Sequence, residues 1–159
     1  MSISDRIPTA NIVLDLQASS KRTLLQALAA EAAERLGRSE SEILAALQDR
    51  EALGSTALGR GVALPHARLP GNGQPIVLFA RLRRAVDYEA RDDEPVDLVV
   101  LVLWPEAEAD GFLPALSETC RALREPHALR QLRAAASEAE VASVLNRAAD
   151  TTADEGDDA

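Results

Sequence analysis

The sequence lacks the residues that several common kinds of site require. Cys120 is its only cysteine, which excludes an internal disulfide and a cluster of thiolate metal ligands. Aromatic residues make up only 3% of the chain, so few rings are present to stack on bases or sugars. We therefore expect neither a disulfide-stabilised fold nor a stacking platform for such ligands.

Long apolar runs and an excess of basic charge are also missing. The longest apolar run is Leu98–Trp104, which is far too short to cross a membrane. Residues 1–10 lack the apolar stretch of a signal peptide. Acidic residues number 26 against 17 basic ones, and affinity for nucleic acid depends on neutralising phosphates with Lys and Arg. These features predict a cytoplasmic protein with no membrane insertion and no primary role in nucleic-acid binding.

The chain has the size and composition of one globular domain followed by a short acidic tail. It contains 159 residues, of which 47% are hydrophobic and 27% charged, and this suits a single core. The last ten residues hold no base and five acids: Asp150, Asp154, Glu155, Asp157 and Asp158. We predict a domain over residues 1–149 and a disordered, solvated tail over residues 150–159.

The spacing of apolar residues predicts an α/β fold. Helical periodicity and capping residues predict helices at about 20–36, 39–52, 110–124, 127–135 and 138–148. Ser19 or Ser20 can cap the first helix, Gly37 can end it, and Pro126 fits the first turn of the fourth. Short apolar or alternating runs predict strands at about 11–16, 61–64, 76–82 and 96–104. The last of these strands is apolar at nearly every position, which is typical of a central strand in a sheet covered by helices on both sides. The order of the elements predicts a single-domain sandwich.

The segment from Arg50 to Arg68 contains the residues best suited to chemistry. It places an arginine at a helix end, then the turn Gly54-Ser55-Thr56, then a short strand that leads to His66. Because His66 follows Pro65 and enters a Gly- and Pro-rich stretch, we expect it in a loop near the surface. A neutral imidazole in that position is a nucleophile that forms covalent intermediates without a metal.

A phosphohistidine site needs positive charge and N–H donors around the phosphoryl oxygens. Arg50 can bind phosphate through two parallel hydrogen bonds, and the turn offers backbone N–H groups with the hydroxyls of Ser55 and Thr56. Arg60 and Arg68 flank the histidine in sequence and add positive charge. Taken singly, each residue also has a simpler interpretation: a surface histidine, a charge that complements a helix end, turn formers and solvated arginines.

Two motifs in this segment carry a family resemblance. The first is Arg50-Glu51 followed by Ser55-Thr56, and the second is the run from Gly61 to His66, G-V-A-L-P-H. Their order and spacing resemble the IIA components of the bacterial phosphoenolpyruvate-dependent phosphotransferase system, of the fructose–mannitol and nitrogen-regulatory type. The stretch from Glu94 to Pro105 is similar to the family's central strand. The segment L-G-S-T-A-L-G (residues 53–59) is most similar to the nitrogen-regulatory branch.

The resemblance implies a mixed β-sheet flanked by helices on both faces, and it implies a function. His66 would be phosphorylated, Arg50 would be the active-site arginine, Thr56 would lie beside the phosphate, and Ser55 with Arg50 would bind it. The donor would be a small histidine phosphocarrier protein fed by phosphoenolpyruvate, and regulatory target proteins would bind the two forms differently. Such a protein is a stoichiometric carrier that needs no cofactor and no metal.

The sequence departs from the family pattern at several positions. Phe112 stands where the family usually has a second histidine, and a phenyl ring cannot donate a hydrogen bond to His66 or its phosphate. Ala67 replaces a frequent glycine, which matters only if that backbone needs a positive φ. Pro114 is tolerable only in the first turn of its helix. His127 is expected to be a surface residue without a role.

These departures leave alternatives to a regulatory phosphocarrier. One is a degenerate protein-binding module that has kept the fold and lost phosphoryl transfer, as Phe112 would favour. Another is a sugar-specific transport IIA component for fructose or mannitol. A hydrolytic enzyme with His66 as its base is weakly supported, because the sequence has no nucleophile elbow, metal motif or cofactor fingerprint.

Overall fold

Six strands form one mixed β-sheet in the computed structural model, which describes residues 7–157 of the chain and the side chains of residues 7–148. The strands are β1 (Ile12–Leu16), β2 (Ala57–Gly59), β3 (Val62–Ala63), β4 (His66–Leu69), β5 (Ile76–Val86) and β6 (Val96–Pro105). Their order is β1-β5-β6-β3-β2, with β4 also paired to β6. β5–β6 and β2–β3 are antiparallel, whereas β1–β5, β3–β6 and β4–β6 are parallel.

Helices cover both faces of this sheet. Within residues 7–157 they are α1 (Lys21–Leu36), α2 (Glu40–Ala52), α3 (Phe112–Ala122), α4 (Pro126–Ala134) and α5 (Glu138–Asp157), with short 3₁₀ turns at Thr9–Asn11 and Glu106–Gly111. No helix among the described residues combines the length and the apolar composition that a bilayer span requires. The predicted α/β sandwich is confirmed.

Strand β6 is the centre of the core, as its sequence predicts. From Leu98 to Trp104 its even-numbered residues pack with α3, α4 and α5, whereas its odd-numbered residues pack with α1 and α2. Successive side chains of a strand point to opposite faces, so a strand between two helix layers must be apolar on both. Leu98, Val100 and Leu101 are each fully buried.

The helix ends follow the predicted capping residues. The Ser20 hydroxyl accepts the Thr23 N–H at 3.1 Å, and Gly37 ends α1 in the left-handed conformation with φ of 65°. Pro126 lies in the first turn of α4, where its missing N–H costs no helical hydrogen bond. Pro114 is similarly placed in the first turn of α3.

The prediction of a loop from Pro65 onward is wrong for His66–Leu69, which form β4. This strand pairs in parallel with the far end of β6, from Val102 to Pro105. Ala67 and Leu69 are buried while His66 and Arg68 are not, so the segment alternates as a half-buried strand does. Because Ala67 lies in this extended strand rather than at a positive φ, its replacement of glycine carries no backbone penalty.

Helix α5 is longer than predicted. The structure gives helix through Asp157, whereas the sequence predicted an end at 148 and a disordered tail over 150–159. Residues 149–155 contain neither proline nor glycine, so no helix-breaking residue interrupts the run before Gly156. The helix therefore continues across the predicted boundary between domain and tail at residue 149. Residues 158–159 lie outside the described part of the chain.

Candidate functional site

His66 occupies the first position of β4, just after a break in the sheet. β3 and β4 pair with the same edge of β6, but Pro65 between them has no N–H with which to continue the ladder. The carbonyl oxygen of Leu64 is instead 2.8 Å from His66 Nδ1. This contact fixes the orientation of a half-buried imidazole ring.

The two ring nitrogens of His66 have different partners, and this determines the tautomer. A carbonyl oxygen only accepts hydrogen bonds, so Nδ1 must carry the proton that faces Leu64. Nε2 is then unprotonated, and its lone pair accepts the Nε–H of Arg50 at 3.2 Å. The nitrogen available to act as a nucleophile is therefore Nε2.

The surroundings of His66 favour its neutral form. Burial lowers the pKa of His66 below its ordinary value, and the Arg50 charge lowers it further, while the Leu64 hydrogen bond and the Glu51 charge oppose the shift. A histidine whose pKa is lowered from 6.5 is mostly neutral at pH 7. The ring is thus in the protonation state that a nucleophile needs.

Arg50 is held against His66 by the end of α2. It lies in the last turn of that helix, and its Nη1 donates to the Gly54 carbonyl at 3.0 Å. Gly54 has a φ of 145°, a conformation that side-chain-bearing residues rarely adopt, and this lets the chain turn back under the guanidinium. The protein itself therefore holds this guanidinium beside the imidazole.

Ser55 and Thr56 lie in the predicted turn, but their hydroxyls already have protein partners. Ser55 Oγ donates to the Tyr88 carbonyl at 3.0 Å. Thr56 is buried, and its hydroxyl contacts a Glu51 carboxylate oxygen and lies 3.1 Å from the Tyr88 hydroxyl. Direct contact of either hydroxyl with a phosphoryl group stays a prediction.

Four residues form a buried polar cluster behind Arg50, which we call the Glu51 network: Lys21, Glu51, Thr56 and Tyr88. Lys21 Nζ lies 2.9 Å from Glu51 Oε2, and Tyr88 donates to Glu51 Oε1 at 2.8 Å. Burial tends to raise the pKa of Glu51, but hydrogen bonds from Thr56, Lys21 and Tyr88 outweigh it and lower that pKa. Burial raises the pKa of Tyr88, and the Glu51 charge raises it further. Glu51 is thus a buried carboxylate beside a neutral phenol.

Phe112 forms the apolar wall of the site. Its ring centroid lies 6.0 Å from that of His66, with the planes tilted by 54°, and 6.5 Å from the Trp104 ring. The sequence placed Phe112 at the position of the family's second histidine, and the structure does bring this residue to His66. The site therefore has an aromatic face where an imidazole would offer a hydrogen bond.

The remaining candidates from the sequence contact other residues. The guanidinium carbon of Arg68 lies 6.0 Å from the Phe112 ring centroid. Arg60 is in the turn between β2 and β3, where its N–H donates to Asp92 at 2.9 Å. His127 is exposed in the first turn of α4, as expected. Within the described residues, no group of three or more His, Cys, Asp or Glu could hold a metal ion.

The residues that sequence reasoning missed are Lys21 and Tyr88. Both are far along the chain from His66, and only the fold brings them to Glu51. One signal was available, because Tyr88 is the single tyrosine of the sequence and a buried phenol usually needs a hydrogen-bond partner.

A comparison with protein families decides the family of this chain. The profile of the family described as "Phosphoenolpyruvate-dependent sugar phosphotransferase system, EIIA 2" matches residues 7–148. The chain belongs to this family. The match includes both motifs of the site and nearly all of the described core.

Relatives within the EIIA 2 family include nitrogen regulatory proteins. One from Bradyrhizobium diazoefficiens is 43% identical over 145 residues, which cover 91% of this chain and 95% of that protein. The crystal structure of the nitrogen regulatory protein IIA-Ntr from Neisseria meningitidis has a TM-score of 0.84 at 33% identity, covering 90% of this chain and 98% of that one. The mannitol IIA enzyme of Escherichia coli, solved in complex with phosphorylated IIB, shares the fold with a TM-score of 0.70 at 22% identity, covering 87% and 96% of the two chains.

Proposed function

We propose that this EIIA 2 protein is a regulatory phosphocarrier that accepts a phosphoryl group on Nε2 of His66. The observation that carries the proposal is the pair of contacts on the imidazole: Nδ1 to the Leu64 carbonyl and Nε2 to the Arg50 guanidinium. Together they present one unprotonated nitrogen beside one fixed cation. The donor in this proposal is a small histidine phosphocarrier protein fed by phosphoenolpyruvate.

The proposed step is a phosphoryl transfer between two nitrogens. The Nε2 lone pair of His66 attacks the phosphorus atom of the donor's phosphohistidine, and a P–N bond forms as the donor's P–N bond breaks. The bonding electron pair leaves with the donor imidazole. Arg50 can then shift its hydrogen bond from Nε2 to a phosphoryl oxygen, where its charge stabilises the transferring group. No cofactor takes part.

The surface around His66 supports protein partners rather than a small substrate. Leu53 follows the last turn of α2, three residues after Arg50, and is 84% exposed; Leu113 follows Phe112 and is 71% exposed. Exposed leucines beside a reactive group suit a transient interface. A phosphoryl group there adds about −1.5 to −2 charges at pH 7, so target proteins would bind the two forms differently. The similarity to nitrogen regulatory proteins favours this regulatory role over sugar transport, and a cytoplasmic location belongs to the same proposal.

One observation favours a second candidate, a protein-binding module without phosphoryl transfer. Phe112 packs against His66 and cannot donate a hydrogen bond to a phosphorylated ring. If Arg50 alone does not stabilise the transferring group, the chain keeps the fold and its partners but carries no phosphate.

The test is incubation with phosphoenolpyruvate and the two upstream carrier proteins, followed by intact-mass spectrometry. The wild type is expected to gain one acid-labile phosphoryl group, and His66→Ala none, because no other nucleophile takes its place. His127→Ala serves as the matched histidine control and should be phosphorylated normally. An unmodified wild type beside a phosphorylated donor in the same tube would contradict the phosphocarrier and support the binding module.

The pH dependence of phosphoryl acceptance follows from the lowered pKa of His66. Only the neutral ring attacks phosphorus, so the rate should stay constant from pH 8 through pH 7. It should then fall with a midpoint below the ordinary value of 6.5.

The lowered pKa of His66 also affects stability, because the unfolded chain binds a proton at His66 at a higher pH than the folded chain does. The free energy of unfolding should therefore decrease as pH falls below 6.5.

Proton NMR of the His66 ring in a His127→Gln background measures this pKa directly, because a single imidazole then titrates. The matched stability measurement is urea unfolding of the wild type and of His66→Gln between pH 8 and pH 5. The variant should lose less stability in acid. A ring that titrates at or above 6.5 would contradict the role given to burial and Arg50.

A further inference from the structure

The Glu51 network joins four separate parts of the chain directly behind the reactive histidine. Lys21 comes from the start of α1, Glu51 from the last turn of α2, Thr56 from the following turn, and Tyr88 from the segment after β5. Every polar group in it has a partner within the network. A buried ion pair adds little to the net stability of a protein, because the cost of desolvating the two charges cancels much of their attraction.

Tyr88 is the residue that links the network to the turn at the site. Its side chain is fully buried, and its hydroxyl bridges Glu51 Oε1 and Thr56 Oγ1 at 2.8 and 3.1 Å. Its backbone carbonyl accepts the Ser55 hydroxyl at 3.0 Å. One residue therefore fixes both members of the Ser55-Thr56 turn and the carboxylate next to Arg50.

Lys21 supplies the charge that the network needs. Its Nζ lies 2.9 Å from Glu51 Oε2 and 4.6 Å from the centroid of the Tyr88 ring, and it is the only lysine in the sequence. Without it, the Glu51 carboxylate would be uncompensated beside the place where a negatively charged phosphoryl group arrives. Like charges in a partly buried site repel strongly, because little water screens them.

We propose that Tyr88 and Lys21 are positioning residues for phosphoryl acceptance. Through Glu51 they hold the end of α2 and the Ser55-Thr56 turn, and thereby keep Arg50 against Nε2 of His66. Neither residue touches the phosphoryl group. The proposal rests on the phosphocarrier function above. It adds two residues that affect phosphoryl transfer without contacting the reacting atoms.

The test compares two variants with two matched controls. Tyr88→Phe removes one buried hydroxyl and keeps the ring, and Lys21→Met removes the cation and keeps most of the stem. Thr119→Val removes a different buried hydroxyl, which donates to the Ala115 carbonyl in the middle of α3. Arg35→Met removes the ion pair with Glu31 near the far end of α1. Each variant is measured for the maximal rate of phosphoryl gain, the donor concentration at half-maximal rate, the pKa of His66 by NMR and the melting temperature.

Loss of positioning should appear in the maximal rate and not in donor binding. Tyr88→Phe and Lys21→Met should each lower the maximal rate by about tenfold to a hundredfold, with the half-saturating donor concentration unchanged. Lys21→Met should also raise the pKa of His66, since the Glu51 charge favours the imidazolium. Lys21→Arg should restore the rate, and Lys21→Met combined with Glu51→Gln should remove the rise in pKa. Both controls should retain the wild-type rate and pKa.

A purely structural network would give a different result. Tyr88→Phe and Lys21→Met would then lower the melting temperature as Thr119→Val does, while the rate and the pKa of His66 stayed at wild-type values. That outcome would overturn the proposal. The pKa is measured on unphosphorylated protein, so it remains decisive even if the wild type accepts no phosphate. In that case a rise in Lys21→Met supports the network's action on His66, whereas an unchanged pKa overturns it.

Discussion

Replacing Arg50 with Gln is expected to slow phosphoryl acceptance by about a hundredfold to a thousandfold, the loss found when one fixed electrostatic donor is removed from an active site. Arg50 donates its Nε–H to Nε2 of His66 at 3.2 Å. Phe112, whose ring centroid lies 6.0 Å from that of His66, adds no donor. A site with one cation and an aromatic wall should depend on that cation more than a site with a second imidazole would. The measurement is the initial rate of phosphoryl gain from the phosphorylated donor.

Two further variants make the Arg50 result specific. Arg50→Lys keeps the charge and loses the planar fork, so it should recover only part of the rate. Arg68→Gln removes a cation whose guanidinium carbon lies 6.0 Å from the Phe112 ring centroid, and it should have a much smaller effect. Arg50→Gln should also raise the pKa of His66, because the Arg50 charge lowers it. Equal losses for Arg50→Gln and Arg68→Gln would contradict the central position of Arg50.

Replacing Gly61 with Ala is expected to destabilise the protein by about 2–3 kcal/mol, the sum of backbone strain and of moving the Arg133 guanidinium away from Asp97 and the Arg60 carbonyl. Gly61 has a φ of 80°, which an alanine adopts only at a cost. A Cβ there would lie 2.6 Å from Arg133 Nη2, 3.0 Å from Asp97 Oδ1 and 3.2 Å from the Pro95 carbonyl oxygen. Urea unfolding followed by circular dichroism measures the change.

The matched control is Gly37→Ala at the end of α1. Gly37 has a similar φ of 65°, but a Cβ there would meet nothing within 4 Å. That variant should lose only the backbone part, about 1 kcal/mol. Equal losses at the two glycines would show that the packing around Gly61 tolerates a methyl group, contrary to our account of that turn.

The parts of the fold that the sequence predicts are those set by local pattern. The full burial of β6 is visible because nearly every residue from Val96 to Trp104 is apolar. The ends of α1 follow from the Ser19-Ser20 pair, of which Ser20 is the N-cap, and from Gly37. β4 was missed because its strand character comes from pairing with the distant end of β6. Its four residues lie between two prolines and show no local pattern that predicts a strand. The extent of α5 was missed because its acidic composition suggested a solvated tail.

In the candidate site, too, local motifs predict one part and only the fold assembles the other. His66, Arg50 and the Ser55-Thr56 turn were found through motifs that lie within one segment. The Glu51 network was not, because Lys21 and Tyr88 reach Glu51 only when α1 and the segment after β5 pack around the end of α2. The identity of the unprotonated ring nitrogen was also beyond the sequence, since it depends on the break at Pro65 that turns the Leu64 carbonyl toward Nδ1. Local motifs indicate the candidate residues, and tertiary contacts determine how they are oriented.

The central claim is that Nε2 of His66 is the nucleophile, and NMR of the phosphorylated protein with ¹⁵N-labelled histidine tests it most directly. The ring-nitrogen shifts and the phosphorus coupling identify which nitrogen carries the phosphoryl group. Our account predicts phosphorylation at Nε2 with the proton retained on Nδ1 opposite Leu64, and no phosphohistidine signal in His66→Ala. A phosphoryl group on Nδ1, or on any residue other than His66, would contradict it.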